Sequence, residues 1–192
     1  MPVTMLRTDP VAPLMEPQIV NGTITILDHC WPLRLEYPAL LAYHGGGALA
    51  GAAIGFRAMA AAGAALSAEH PWDRRDLSVV SWHNGPGVRD AIEFITRAIT
   101  RGRFARRESG AVQNCGAADA FRFEVADGRH VARVALREHA VTPAFFELAR
   151  TPSRSLQQEA ELIHLKAVVA DSVMALPADR LFEISLQEQV HA

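Results

Sequence analysis

Phe121-Arg122-Phe123-Glu124-Val125-Ala126-Asp127-Gly128-Arg129-His130-Val131-Ala132-Arg133-Val134-Ala135-Leu136 is the stretch whose pattern decides the fold. Phe121, Phe123 and Val125 alternate with Arg122 and Glu124, the period of a strand that lays one face on a core. Asp127-Gly128 is a tight-turn pair, because both residues accept the left-handed backbone that a two-residue hairpin needs. Val131, Val134 and Leu136 resume the apolar pattern beyond it. Ala120 to Ala126 and Arg129 to Leu136 therefore read as an antiparallel hairpin.

Toward the N-terminus, Leu77-Ser78-Val79-Val80-Ser81-Trp82 has the length and β-branched content of a buried strand. Ala48 to Ala68 has Arg57 as its only charge, and alanine and glycine dominate it. Small side chains give weak transfer energy into lipid, so this reads as a buried helix and not a membrane span. Its glycines at 51, 55 and 63 leave a smooth surface for close packing, either by another element or by a second copy of the chain. Val88, Ala91, Ile92 and Ile95 have the spacing of one buried helix face. Gln18 to Leu27 is β-rich with an Asn21-Gly22 turn signal inside it, and Pro38 to Tyr43 reads as extended or as a short helix. Further on, residues 111–115 suit a strand, Pro143 to Thr151 a short helix, Leu156 to Met174 a longer one, and Ala178 to Leu186 a strand-like end. The expected class is α+β, a mostly antiparallel sheet packed against helices in a single domain over 18–187. A proline-rich arm over 1–17 precedes it, and a tail over 188–192 follows.

With 192 residues, 49% of them hydrophobic, the chain is long enough for one real core. A net charge of -2 supplies no broad positive field, which argues against a nucleic-acid partner. The arginines at 97, 101, 103, 106 and 107 read as a solvated helix end, or as a guide for an anionic substrate. Cys30 and Cys115 are too few for a disulfide framework; a bridge between them stays open, and the expected state of Cys115 is a free thiol. The first residues have neither a basic start nor an apolar run, so the expected compartment is cytoplasmic. No nucleophile elbow, HExxH, P-loop or dinucleotide fingerprint is present.

Two matched loops carry the chemistry that can be read. Tyr43-His44-Gly45-Gly46-Gly47-Ala48 runs into the small-residue helix, and Ser81-Trp82-His83-Asn84-Gly85-Pro86-Gly87 runs into the helix from Val88. Glycine lets a ligand approach the backbone, and the first turn of a helix leaves N–H groups free for negative charge. Convergence of the two loops would place Gly46, Gly47, Asn84, Gly85, Gly87 and Asp90 around a small-molecule ligand.

The order of these segments resembles the FmdE-like family, which takes its name from a component of formylmethanofuran dehydrogenase. There a histidine- and glycine-bearing loop opens a helix with a Gly-aromatic-Arg element, matched here by Gly55-Phe56-Arg57. A second loop opens a helix with an Asp-Ala-Ile element, matched by Asp90-Ala91-Ile92, and the hairpin and the tail from Ala175 to Ile184 follow in order. The resemblance covers roughly Tyr37 to Ile184 and implies an FmdE-like domain, metal binding and one-carbon chemistry. The departures fall in the loops. His44 is kept, but Gly47, Leu49 and Ala50 stand around the family's second histidine, cysteine and proline, and Gly87 stands where a cysteine is usual.

His44, His83 and Cys115 form the candidate metal set, since imidazole and thiolate both suit a divalent ion, zinc first, and three ligands leave an open position. The bland alternative makes each histidine a structural hydrogen-bonding residue and Cys115 simple core. Asp90 reads either as a carboxylate orienting a histidine or as an acid favoured early in a helix. His29-Cys30 is a weaker addition to the same pocket, and His164 reads as buried or dimer-facing. The expected function is a metal-binding FmdE-like protein that takes an anionic or one-carbon-carrying small molecule. The alternative is a metal-free ligand-binding or accessory protein that has lost the family's metal site. A homodimer through small-residue surface is the expected assembly.

Overall fold

A computed structural model describes residues 22–68, 70–107 and 120–189. The arm over 1–17, the strand expected over 111–115, Cys115 and the end of the tail lie outside the described residues. The fold is α+β, and two sheets and six helices are present among the described residues.

The described residues open with a hairpin of β1 (Thr23–Asp28) and β2 (Trp31–Glu36), which forms a sheet of its own among them. Its turn is His29-Cys30; of the stretch expected to form a short hairpin or a strand over Gln18 to Leu27, Thr23 to Leu27 is strand, and residues 18–21 lie outside the described residues. Both turn residues have positive φ, 55° and 67°, an unusual conformation for side chains of this size. It is held from outside: the Cys30 N–H donates to Asp73 Oδ2 at 3.0 Å, and Arg75 meets His29 Nδ1 at 3.0 Å. Arg74 and Arg101 pair with Asp28 beside them.

Helix α1 (Tyr37–His44) carries Pro38 in its first turn, a position that needs no N–H, and ends on Gly45 in the left-handed conformation, φ 79°. Helix α2 (Leu49–Leu66) runs through the middle of the molecule. Its mean hydropathy of 1.5 suits a membrane span by length and composition, yet 14 of its 18 residues are buried inside the chain. It lies against three strands of the main sheet, against α1, and against the helices that begin at Pro86 and Leu156. Each glycine in it costs about 1 kcal/mol of helix propensity relative to alanine, and close packing offsets that cost. A Cβ on Gly55 would sit 2.8 Å from the Ala91 Cβ, and one on Gly63 would enter the Trp72 ring. The small-residue surface is therefore used within the chain.

The main sheet has the order β4-β3-β5-β6-β7. Strand β3 is Ser78–Ser81, and helix α3 (Pro86–Thr96) carries the chain over to β4 (Phe104–Arg106), which pairs with β3 in the only parallel register among the described residues of this sheet. Strands β5 (Arg122–Ala126) and β6 (His130–Leu136) form the expected hairpin, with Phe123 opposite Val134 and Val125 opposite Ala132 on the buried face. Helix α4 (Pro143–Arg150) and helix α5 (Leu156–Ala175) follow close to the expected bounds. Helix α5 opens with a capping box between Ser155 and Gln158. His164 is exposed on it, so burial within the chain does not hold. A one-turn helix α6 (Ala178–Leu181) leads into β7 (Phe182–Glu188), the far edge of the sheet.

Candidate functional site

The two glycine loops converge. His44, at the end of α1, donates from Nδ1 to Asp90 Oδ2 on α3 at 2.6 Å, and its Nε2 accepts the Ala48 N–H at 3.0 Å. One imidazole thereby ties the end of α1, the start of α2 and the first half of α3 together, and its side chain is buried. Gly87 seals the junction from the other side: a Cβ there would stand 2.7 Å from the Ala52 nitrogen and closer still to the Ala48 carbonyl. Only glycine allows α3 to begin so near the first turn of α2.

His83 lies two residues beyond the end of β3, where Ser81 Oγ donates to its carbonyl and accepts its N–H. Its ring stacks on Phe121 with centroids 4.1 Å apart and planes 21° apart. Nδ1 accepts the Gly85 N–H at 2.9 Å, which leaves the ring proton on Nε2. Burial disfavours the charged ring and lowers the pKa to about 4, so His83 is neutral at physiological pH. Gly85 is required here as well, because a Cβ would lie 2.5 Å from the His83 ring.

Beside His83 opens a pocket of about 330 Å³. One wall is Ala48, Ala50 and Gly51 at the start of α2, and another is His83, Gly85 and Gly87. Phe121, Phe145 and Phe146 make the lining aromatic, while Arg150 and Lys166 bring positive charge to it. Lys166 is anchored on the first loop, its Nζ 3.3 Å from the Gly47 carbonyl. Ala48 offers no side chain to cap α2, so the helix whose first residues line the pocket starts without a capping side-chain oxygen.

Of the residues expected to bind a ligand, Gly85 and Gly87 line this pocket, and Gly47 reaches it through Lys166. Gly46 and Asn84 are exposed and are not among its lining residues. Asp90 serves His44. His29 and Cys30 sit at the β1–β2 turn with Asp73 and Arg75. The aromatic residues and Arg150 and Lys166 come from segments that the loop motifs do not include. Of these, only Lys166 stands out in the composition, as the one lysine of the chain.

The described residues do not fit a metal centre as they stand. No group of three His, Cys, Asp or Glu side chains among them is placed to hold an ion, and both ring nitrogens of His44 already have partners. The third candidate ligand, Cys115, lies outside the described residues. Compared with protein families and with curated proteins, the chain matches no family model and no curated sequence.

Proposed function

We propose that this protein binds a small organic anion with an apolar or aromatic body in the pocket between its two glycine loops, without a metal. The observation that carries the reading is the joint lining of the pocket by Phe121, Phe145 and Phe146, by Arg150 and Lys166, and by the start of α2, which has no side-chain cap. Its volume is at the lower end of the range typical of small-molecule sites. Stacking on the phenylalanines supplies apolar contact. Lys166 and the α2 amides meet the negative group, and the His83 Nε2–H donates one directional hydrogen bond. The resemblance to FmdE-like proteins adds a narrower class to the proposal, a one-carbon-carrying molecule.

Titration calorimetry with benzoate, and with benzamide as its neutral counterpart, tests the proposal. Benzoate binds more tightly than benzamide, and Lys166→Ala weakens benzoate about tenfold, roughly 1.4 kcal/mol, while leaving benzamide unchanged. Absence of benzoate binding, or equal binding by Lys166→Ala and the parent, overturns it.

A second reading, a zinc ion on His44, His83 and Cys115, is favoured by one feature. Asp90 meets His44 Nδ1 as a carboxylate meets the outer nitrogen of a metal-bound imidazole. That ion would have to displace the Ala48 N–H from His44 Nε2.

A further inference from the structure

The two edges of the main sheet are unlike. At one edge, β4 is three residues long and carries the exposed Arg106, features that discourage pairing with another strand. At the other edge, β7 is seven residues long with no proline, lysine or glycine, and it pairs with β6 without a bulge. Ile184 and Leu186 stand opposite Val134 and Ala132, both fully buried, and so point to the core side of the sheet. They are nevertheless 41% and 42% exposed, because among the described residues the sheet ends at β7.

The hydrogen-bond phase of this edge is set by its neighbour. The Arg137 N–H donates to the Leu181 carbonyl, and the Gln189 N–H donates to the Arg129 carbonyl. Bonded residues alternate along an antiparallel ladder, so with the β6–β7 register Glu183, Ser185 and Gln187 turn their backbone groups toward β6. Phe182, Ile184, Leu186 and Glu188 turn theirs to the open edge.

We infer that β7 is an interface between two copies of this chain, paired antiparallel about a two-fold axis at Ser185 to make a continuous ten-stranded sheet. That axis sets outward-bonding residues against outward-bonding residues, as an antiparallel ladder demands. Ile184 faces Leu186 of the second copy, Phe182 faces Glu188, and Glu183 faces Gln187. The exposed apolar residues cover one another, and no like charges are opposed. Moving the axis to Ile184 or Leu186 keeps the phase but leaves one end of the strand unpaired. The self-complementary order of side chains selects a second copy over a foreign peptide, and none of the residues lining the ligand pocket lies on β7.

Light scattering across a dilution series tests this, with circular dichroism as the check on folding. The parent chain has twice the monomer mass at high concentration. Leu186→Pro removes an outward N–H and leaves the β6 ladder intact, as edge strands allow, and halves the mass without loss of structure. Ile184→Lys, which puts a charge at the centre of the interface, does the same and serves if the proline variant fails to fold. A parent chain that stays monomeric at every concentration overturns the inference, whatever covers the edge, as do folded variants that remain dimeric.

Discussion

Stacked on Phe121 and withdrawn from water, the His83 ring has a pKa of about 4, against 6.5 for the free side chain. Between those values the unfolded chain binds more protons than the native one, so stability rises with pH through the window. The contribution is fully present above pH 6.5 and is lost as pH falls toward 4, up to about 3 kcal/mol. Urea unfolding at pH 7 and at pH 4.5 measures it, and His83→Phe flattens the slope. The carboxylates of Asp28 and Asp73 have pKa values held below 3.8, Asp28 mainly by the Arg74 hydrogen bond and Asp73 by backbone N–H donors against the cost of burial. Their contributions are lost mainly below this window. At this scale the sequence was legible where a residue's partner lies in the same motif, as with Gly85 and His83. It was less so for Lys166, which reaches Gly47 only because α5 packs on α2.

Among the elements, the glycines of the two loops separate into two kinds. Gly47 has nothing within 4 Å of the place a Cβ would take and has no positive φ, so Gly47→Ala leaves stability unchanged. Gly87→Ala drives a methyl group into the backbone of α2 and costs about 1–3 kcal/mol. Thermal melting of the two variants separates these cases. The alternation in β5 and β6 and the periodicity of α3 and α5 were readable because each element's partner face is written in its own period. The β1–β2 turn was not, since His29-Cys30 holds its left-handed backbone through contacts with Asp73 and Arg75, more than forty residues away. No local composition rule contains that support.

For the whole molecule, the two functional readings differ in a quantity that elemental analysis reports directly. Protein purified without chelator contains no stoichiometric metal if the pocket works as proposed. About one zinc per chain, lost in both His44→Ala and His83→Ala, would instead establish the three-ligand centre. The architecture that holds the pocket depends on α2, which lies against α3, α5 and three strands of the sheet. Its neighbour α1 precedes it, but all of these others follow it in the chain, and β7 ends at Glu188. A ribosome therefore makes the most apolar helix of the protein more than a hundred residues before the last of its cover, so its burial waits on synthesis that is nearly finished. During that interval the nascent chain carries an uncovered segment of span-like hydropathy, and a growing polypeptide with that profile is a ready client for the chaperones that shield emerging apolar sequence.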